Sequence, residues 1–493
     1  MAPRKKTSKP KKGQASDGHE EDISNEGENS EGSEDTGDDG KGTGDKGKNP
    51  EKPEDTGEES SPAMQVIVLG PTGGPREDRV TSLLVRSQAT EWAPNSVVAV
   101  DAGTLLSAII ACLDDCTQTD GVLTAGAFAG LPTPFSSAEA NAVHIFRKII
   151  GSVLITHAHL DHVAGLAMNT QLLAVGTEPK AVGALDSVIR ALQTHVFNNV
   201  IWPNFSNENG GIGCLTYHRL PDGPGGMGMG DDAGYQSVCE GLLTQCFAVS
   251  HGKYPVPDTS EGAQSEREQP ESDTGSRRSS PPKTSGQTYT TVDSSAFFLR
   301  DQKTGTEIIV FGDLEPDEIS VCPRNRRVWQ VAAPKIISKK LRAIFIECSY
   351  VDATPDIKLF GHLCPRHLTT ELAVLADCVA KAQDKQLSQA AKRKRDSTGT
   401  SKDERSTKKQ KGKDGRSSES SRSRHEREQT PKNFPVLEKP LAGLSVYILH
   451  VKESLDDGPY PGDIILDELK KLGAEAGLGC EFYLPSRGES IEI

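Results

Sequence analysis

The chain has 493 residues, 34% hydrophobic and 5% aromatic, with 48 Gly, 30 Pro and a formal charge of −14. That acidic balance argues against a general nucleic-acid binder, and no apolar run approaches the roughly 20 residues of a membrane helix. The ten cysteines are scattered, without zinc-ribbon pairs or a dense secreted framework, and read as reduced residues of an intracellular protein.

In chain order, residues 1–63 hold Gly, Ser, Glu, Asp and Lys with almost nothing apolar. Such a segment cannot bury enough surface to offset its ordering entropy and is expected to be a disordered acidic tail. Its start, MAPRKKTSKPKK, has basic residues but no hydrophobic core after them, unlike a secretory signal. Strands are expected at Met64–Gly70, Thr81–Ser87 and Ser96–Gly103, where apolar residues alternate or run together. Ser137–Ile150 has helical spacing and a capping-box start. The strand SVLIT then leads into THAHLDH, and VAGLAM begins a helix; Pro179–Phe197 reads as another.

Further strands are expected within Leu242–Gly252, Thr306–Asp317, Arg342–Tyr350 and Leu444–Lys452, several ending at His or Asp. Residues 256–287 and 386–432 are polar, low-complexity inserts, the second carrying a basic run from Lys392 to Lys413. Loop-closure entropy grows only logarithmically with length, so a folded domain tolerates them. Residues 64–493, interrupted by these inserts, are expected to form one α/β domain. The interleaving of strands and helices indicates an α/β fold or a four-layer αββα sandwich.

His157, His159, Asp161 and His162 fall within six residues at the strand-to-helix turn. Imidazole nitrogens and carboxylate oxygens suit Zn²⁺, Mn²⁺ or Fe²⁺. Crowded this closely, they would compete for protons unless a cation neutralised them. The bland alternative is a set of unrelated polar loop residues. One metal needs three or four protein ligands and two need more, and other strand ends offer His251, Asp313 and His450. Taken singly, each could equally be a satisfied histidine or a turn aspartate. The joint pattern favours a metal site.

The HxHxDH cluster, followed by a strand-end His, a strand-end Asp and a last strand-end His, resembles the metallo-β-lactamase superfamily. THAHLDHVAGL with Leu160, together with LFGHLCPRHLTTEL, DSSAFFLRDQKTGTEIIVFGDLEPD, AIFIECSY and LSVYILHVKES, resembles more narrowly the class II, fungal low-affinity type of cyclic-nucleotide phosphodiesterase. The resemblance spans Met64 to the C-terminus apart from the inserts. It implies a metallo-β-lactamase-type αββα sandwich. It further implies that His157, His159 and His251 bind one metal, Asp161, His162 and His450 a second, and that Asp313 bridges them. Asp101 matches a superfamily aspartate that could orient a ligand imidazole, or it is a simple turn residue.

The activity implied is hydrolysis of 3′,5′-cyclic nucleotides, cyclic AMP and potentially cyclic GMP, to 5′-monophosphates. Two divalent ions, expected to be zinc, would share the attacking hydroxide. Asp161 and Asp101 belong to this catalytic set. His362 is a candidate proton donor or phosphate contact, with loop hydrogen bonding as its alternative, and His367 ranks second; Ser295 could shape the nucleotide pocket. An RNA-processing hydrolase of the same superfamily and an inactive scaffold are the competing readings. The small cyclic nucleotide is the expected partner, without membrane or nucleic acid, and a homodimer is compatible with the sequence. The basic insert suits import machinery or kinases, so a cytoplasmic protein with some nuclear entry is expected.

Overall fold

The computed structural model describes residues 61–225, 233–255, 289–397 and 439–493. Residues 1–60, the insert expected at 256–287 and the part of the second insert beyond Ser397 lie outside the described residues. The first half of the fold runs β1 (Met64–Gly70), β2 (Ser82–Ser87), β3 (Val97–Val100), α1 (Leu106–Asp114), a small hairpin of β4 (Gln118–Thr119) and β5 (Val122–Leu123), and α2 (Ala138–His144). β6 (Ile150–Leu154), α3 (Leu160–Asn169), β7 (Lys180–Leu185), α4 (Asp186–Ala191) and β8 (Leu215–Leu220) follow. The second half has β9 (Gln236–Cys239), β10 (Leu242–Pro255), β11 (Tyr289–Asp301), β12 (Glu307–Phe311), α5 (Asn325–Ile337) and β13 (Leu341–Glu347). It closes with α6 (Pro365–Ser397), β14 (Ser445–Leu449), α7 (Pro461–Glu475), β15 (Glu481–Tyr483) and β16 (Ser490–Glu492).

Among the described residues these strands form two seven-stranded sheets, ordered β16-β1-β2-β3-β6-β7-β8 and β15-β14-β13-β12-β11-β10-β9. Each is antiparallel in one half and parallel in the other, the parallel runs being β3-β6-β7-β8 and β12-β13-β14-β15. The period-2 alternation of buried strands shows how the layers stack. In β12, Ile308 and Val310 join the core shared with the first sheet, whereas Ile309 and Phe311 join a second core with Trp329 of α5 and Leu372 of α6. β13 divides the same way, Ala343 and Phe345 inward, Ile344 and Ile346 outward. Ala108, Val163 and Val188, on α1, α3 and α4, pack with the first sheet. The result is the αββα sandwich of the metallo-β-lactamase fold.

Three local expectations need correction. Pro179–Phe197 is not one helix: β7 occupies Lys180–Leu185, between β6 and β8, before α4 begins at Asp186. A short apolar run carries no period that separates a buried strand from a buried helix turn, and here the sheet register decided it. The α2 start has only half of a capping box, because Ser137 accepts from Ala140 N–H and no acidic side chain stands at position 140 to reciprocate. Finally, α6 continues past Gln386 to Ser397, into the stretch expected to be insert, since QLSQAAKRKR is rich in good helix formers.

Parallel pairing of β3 with β6 and of β12 with β13 and β14 sends the carboxyl ends of these strands to one edge of each sheet. Asp101, His157, Asp313, Glu347 and His450 all lie at or just beyond those ends. Open α/β sheets place their ligand sites at such edges.

Candidate metal centre

The turn after β6 is held from β3. Asp101 Oδ1 accepts Thr156 N–H and Asp101 Oδ2 accepts the Thr156 hydroxyl, both at 2.8 Å, so one buried carboxylate ties the two strand ends together. His159 sits at the N-terminal boundary of α3, and Asp161 and His162 occupy its first turn. That helix approaches the loop after β3 closely: a Cβ on Gly103 would lie 1.8 Å from the Asp161 carbonyl oxygen, so no side chain fits there.

The ligand candidates converge on Asp313, which is 2% exposed at the end of β12. Its Oδ2 lies 3.1 Å from His450 Nε2, 3.3 Å from His162 Nε2, 3.6 Å from His157 Nε2 and 3.8 Å from His251 Nε2. Two four-residue groups present ligand atoms within 4.8 Å of one another: His157, His159, His251 and Asp313, and Asp161, His162, His450 and Asp313. His159 is exposed, its ring centroid 4.5 Å from that of His157 and 5.0 Å from that of His251. Asp161 Oδ2 stands 3.7 Å from His450 Nε2.

The hydrogen bonds on the far side of each ring decide which nitrogen faces the centre. His251 Nδ1 is 2.9 Å from the Gly361 carbonyl, which can only accept, so Nδ1 carries the hydrogen. His162 Nδ1 is 2.7 Å from Asp101 Oδ2 and donates to it in the same way. The Thr156 hydroxyl donates to Asp101 and therefore receives His157 Nδ1–H at 3.1 Å. The Thr81 hydroxyl donates to Thr72 O and receives His450 Nδ1–H at 2.7 Å. In all four rings Nε2 is left with a lone pair pointing inward. The Nε2 atoms of His157, His162 and His450 are buried without a hydrogen-bond partner, a costly arrangement for polar atoms unless a cation occupies the space between them. The donor set of imidazoles and carboxylates fits a divalent metal.

The electrostatics divide the four rings, lowering His157, His251 and His450 and raising His162. Burial pushes His251 down to about 4 and His157 well below the ordinary imidazole range, which favours the neutral, ligating form. Burial also opposes a charge on His162, but Asp313 and Asp101 outweigh it and raise its pKa well above the usual value. Burial would raise the Asp313 carboxyl, yet His450 and His162 hold it well below the carboxylate range. A buried anion ringed by imidazoles is the field a cation replaces protons in.

The other candidates divide. His362 joins the centre: its Nδ1 is 3.0 Å from Glu347 Oε1 and 3.8 Å from Asp313 Oδ2, and its ring centroid lies 4.8 Å from that of His251. His367 does not. It turns to Asp356, 3.4 Å from Nε2, and to Cys364 Sγ, 3.5 Å from Nδ1, because it stands on the first turn of α6 and faces the preceding loop. Ser295 is fully buried in β11 and donates its hydroxyl to Thr156 O at 3.1 Å, fastening the second sheet to the ligand turn.

Sequence reasoning missed Glu347, Thr81 and Lys452. Glu347 Oε1 lies 3.0 Å from His362 Nδ1, and the carboxyl accepts the Ser349 hydroxyl at 2.5 Å and Leu314 N–H at 2.9 Å; its place at the end of a strand was a usable signal. Lys452 Nζ lies 3.4 Å from Asp161 Oδ2 and 2.6 Å from Gly73 O. Thr81 offered no signal, since its role depends on a partner 369 residues away.

An αββα sandwich with paired His/Asp groups at one sheet edge defines a metal-dependent hydrolase of the metallo-β-lactamase type. A family model described as cAMP phosphodiesterases class-II matches residues 64–391. The chain belongs to that family and is a 3′,5′-cyclic-nucleotide phosphodiesterase, dependent on divalent metal. It is 29% identical over 311 residues to a 3′,5′-cyclic-nucleotide phosphodiesterase of Schizosaccharomyces pombe, covering 63% of this chain and 75% of the relative. It is 25% identical over 490 residues to the enzyme of that name from Candida albicans, covering 87% of this chain and 100% of the relative. The crystal structure of unliganded yeast PDE1 shares the fold, with a TM-score of 0.55 at 20% identity, over 88% of this chain and 100% of that one.

Proposed function

We propose that residues 64–493 form a catalytic domain that hydrolyses cyclic AMP, and cyclic GMP with it, to the 5′-monophosphates at a centre of two zinc ions. His157, His159, His251 and Asp313 would hold one ion, and Asp161, His162, His450 and Asp313 the other. The observation that carries this reading is the orientation of four rings, each giving Nδ1–H to an acceptor and aiming Nε2 at one shared carboxylate. When bound, paired cations supply Lewis acidity and lower the pKa of water enough to furnish a nucleophile at neutral pH.

The chain's own groups do the rest. Asp101 is a positioning residue that fixes the His162 tautomer through Oδ2. Lys452, 3.4 Å from Asp161, adds positive charge beside the centre where a phosphodiester gains negative charge during hydrolysis. His362 and Glu347 hold a proton between Nδ1 and Oε1 at 3.0 Å. Burial and Asp313 push Glu347 up to about 7, while burial pushes His362 down to about 4. With that proton on Glu347, His362 Nε2 carries the hydrogen that a departing ribose 3′ oxygen requires.

The test is incubation of the purified chain with cyclic AMP, with and without a chelator, alongside metal analysis. Formation of 5′-AMP that stops on chelation and returns with zinc, at two zinc ions per chain, is the expected result. Product that is indifferent to chelation would refute it.

A further inference from the structure

We propose that exposed apolar residues on the ligand loops, led by the ring of Phe360, receive the nucleobase of the cyclic nucleotide. This rests on the phosphodiesterase reading above. Phe360 is 73% exposed and has φ +51°, in the left-handed region that bulky residues rarely adopt. Its neighbour explains the backbone. Gly361 must direct its carbonyl to His251 Nδ1 at 2.9 Å, and a Cβ on Gly361 would come within 2.4 Å of the Gly252 backbone. Glycine or asparagine at 360 would make this turn with less strain. An aromatic there gains little burial, so neither backbone nor packing accounts for it. Strained, solvent-facing side chains held by the surrounding structure are characteristic of ligand clamps, and this one stands two residues before His362.

Two aliphatic residues close in sequence to other ligand candidates are exposed as well. Leu160, between His159 and Asp161, is 71% exposed. Leu455, five residues past His450, is 60% exposed and has φ +53°. A cyclic nucleotide brings an anionic phosphodiester for the cations and a flat, weakly polar base that needs an apolar face nearby. An exposed phenyl ring offers stacking, which every base accepts because each has a π-face. This contact therefore improves binding of adenine and guanine nucleotides alike.

The test compares steady-state kinetics of the full chain on cyclic AMP, cyclic GMP and 1-O-methylribose 3′,5′-cyclic phosphate, an abasic analogue. In Phe360→Gly, KM for both nucleotides is expected to rise roughly tenfold at nearly constant kcat. The preference for nucleotide over abasic analogue should fall by the same factor, and Phe360→Trp should restore it. Glycine suits the left-handed backbone, so the glycine variant should melt no lower than the parent. Equal losses on all three substrates, a nucleotide KM within about twofold of the parent, failure of tryptophan to rescue, or a lowered melting temperature would each overturn the proposal. A parent chain that turns over none of the three would instead defeat the phosphodiesterase reading.

Discussion

Asp101 shows how much a ligand depends on a residue that touches no substrate. Its Oδ2 receives both the Thr156 hydroxyl and His162 Nδ1–H, so Asp101→Asn sets an amide N–H₂ against groups that already donate. Carboxylates behind ligand imidazoles typically sustain 10–100-fold in metal affinity or activity, and a loss of about that size is expected, read by metal titration. The circular dichroism spectrum should stay unchanged, since the fold does not hang on that bond alone. Thr81→Val removes the acceptor of His450 Nδ1–H. About a tenfold weakening of metal binding is expected there, and Thr81→Ser, which keeps the hydroxyl, should recover most of it.

At the scale of elements, the loop after Asp313 connects the site to the helix layer. Asp317 accepts Arg324 N–H at 2.8 Å and Asn325 N–H at 2.9 Å through Oδ1, and Arg326 N–H at 2.9 Å through Oδ2, capping α5 from seven to nine residues upstream. Removing a cap of this kind costs about 1–2 kcal/mol, so Asp317→Ala should lower the denaturant midpoint accordingly. The same helix carries Trp329, whose Nε1–H donates to Glu371 Oε2 at 2.7 Å, and Glu371 Oε1 in turn accepts Asp317 N–H at 2.7 Å. The Asp313 loop, α5 and α6 are thus one hydrogen-bonded unit, and part of the loss in Asp317→Ala should appear as weaker metal retention.

At the scale of the molecule, the centre joins both sheets: His157 and His162 come from the first, His251, Asp313 and His450 from the second. A metal bound only by the folded state stabilises it by mass action. Chelation should therefore lower the melting temperature as well as abolish activity, and scanning calorimetry with zinc added back checks both. The metal-free chain should also lose stability in acid. Burial lowers the pKa of His157, His251, His362 and His450, with His251 and His362 at about 4, and partial desolvation lowers that of the more exposed His159. For a depressed histidine the unfolded chain binds the extra proton, so its contribution is complete above about 6.5 and is lost as pH falls toward 4. Among the described residues His162, Glu315, Glu347 and Glu371, all raised, act in the opposite sense, but His144 and His367 are lowered as well, and the lowered carboxyls of Asp161 and Asp313 add to the loss in acid. A melting temperature of the chelated chain that did not fall between pH 6.5 and 4 would contradict this balance.

The residues gathered around Asp313 were legible in the chain. His157, His159, Asp161 and His162 lie within one strand-to-helix turn, and such spacing is local information that no distant contact can alter. Asp313 and His450 were legible because apolar strand runs stop just before them, and His251 because its apolar run ends there, although β10 itself continues past the expected strand end to Pro255. What only the tertiary structure decided was the direction of each imidazole, the distinction between His362 at the centre and His367 outside it, and the use of Ser295 as a fastener. β7 likewise became a strand through its pairing between β6 and β8, not through its composition. The physical reason is common to all of these: a tautomer, a rotamer or a short apolar run is settled by partners far away in the sequence, brought near by sheet register.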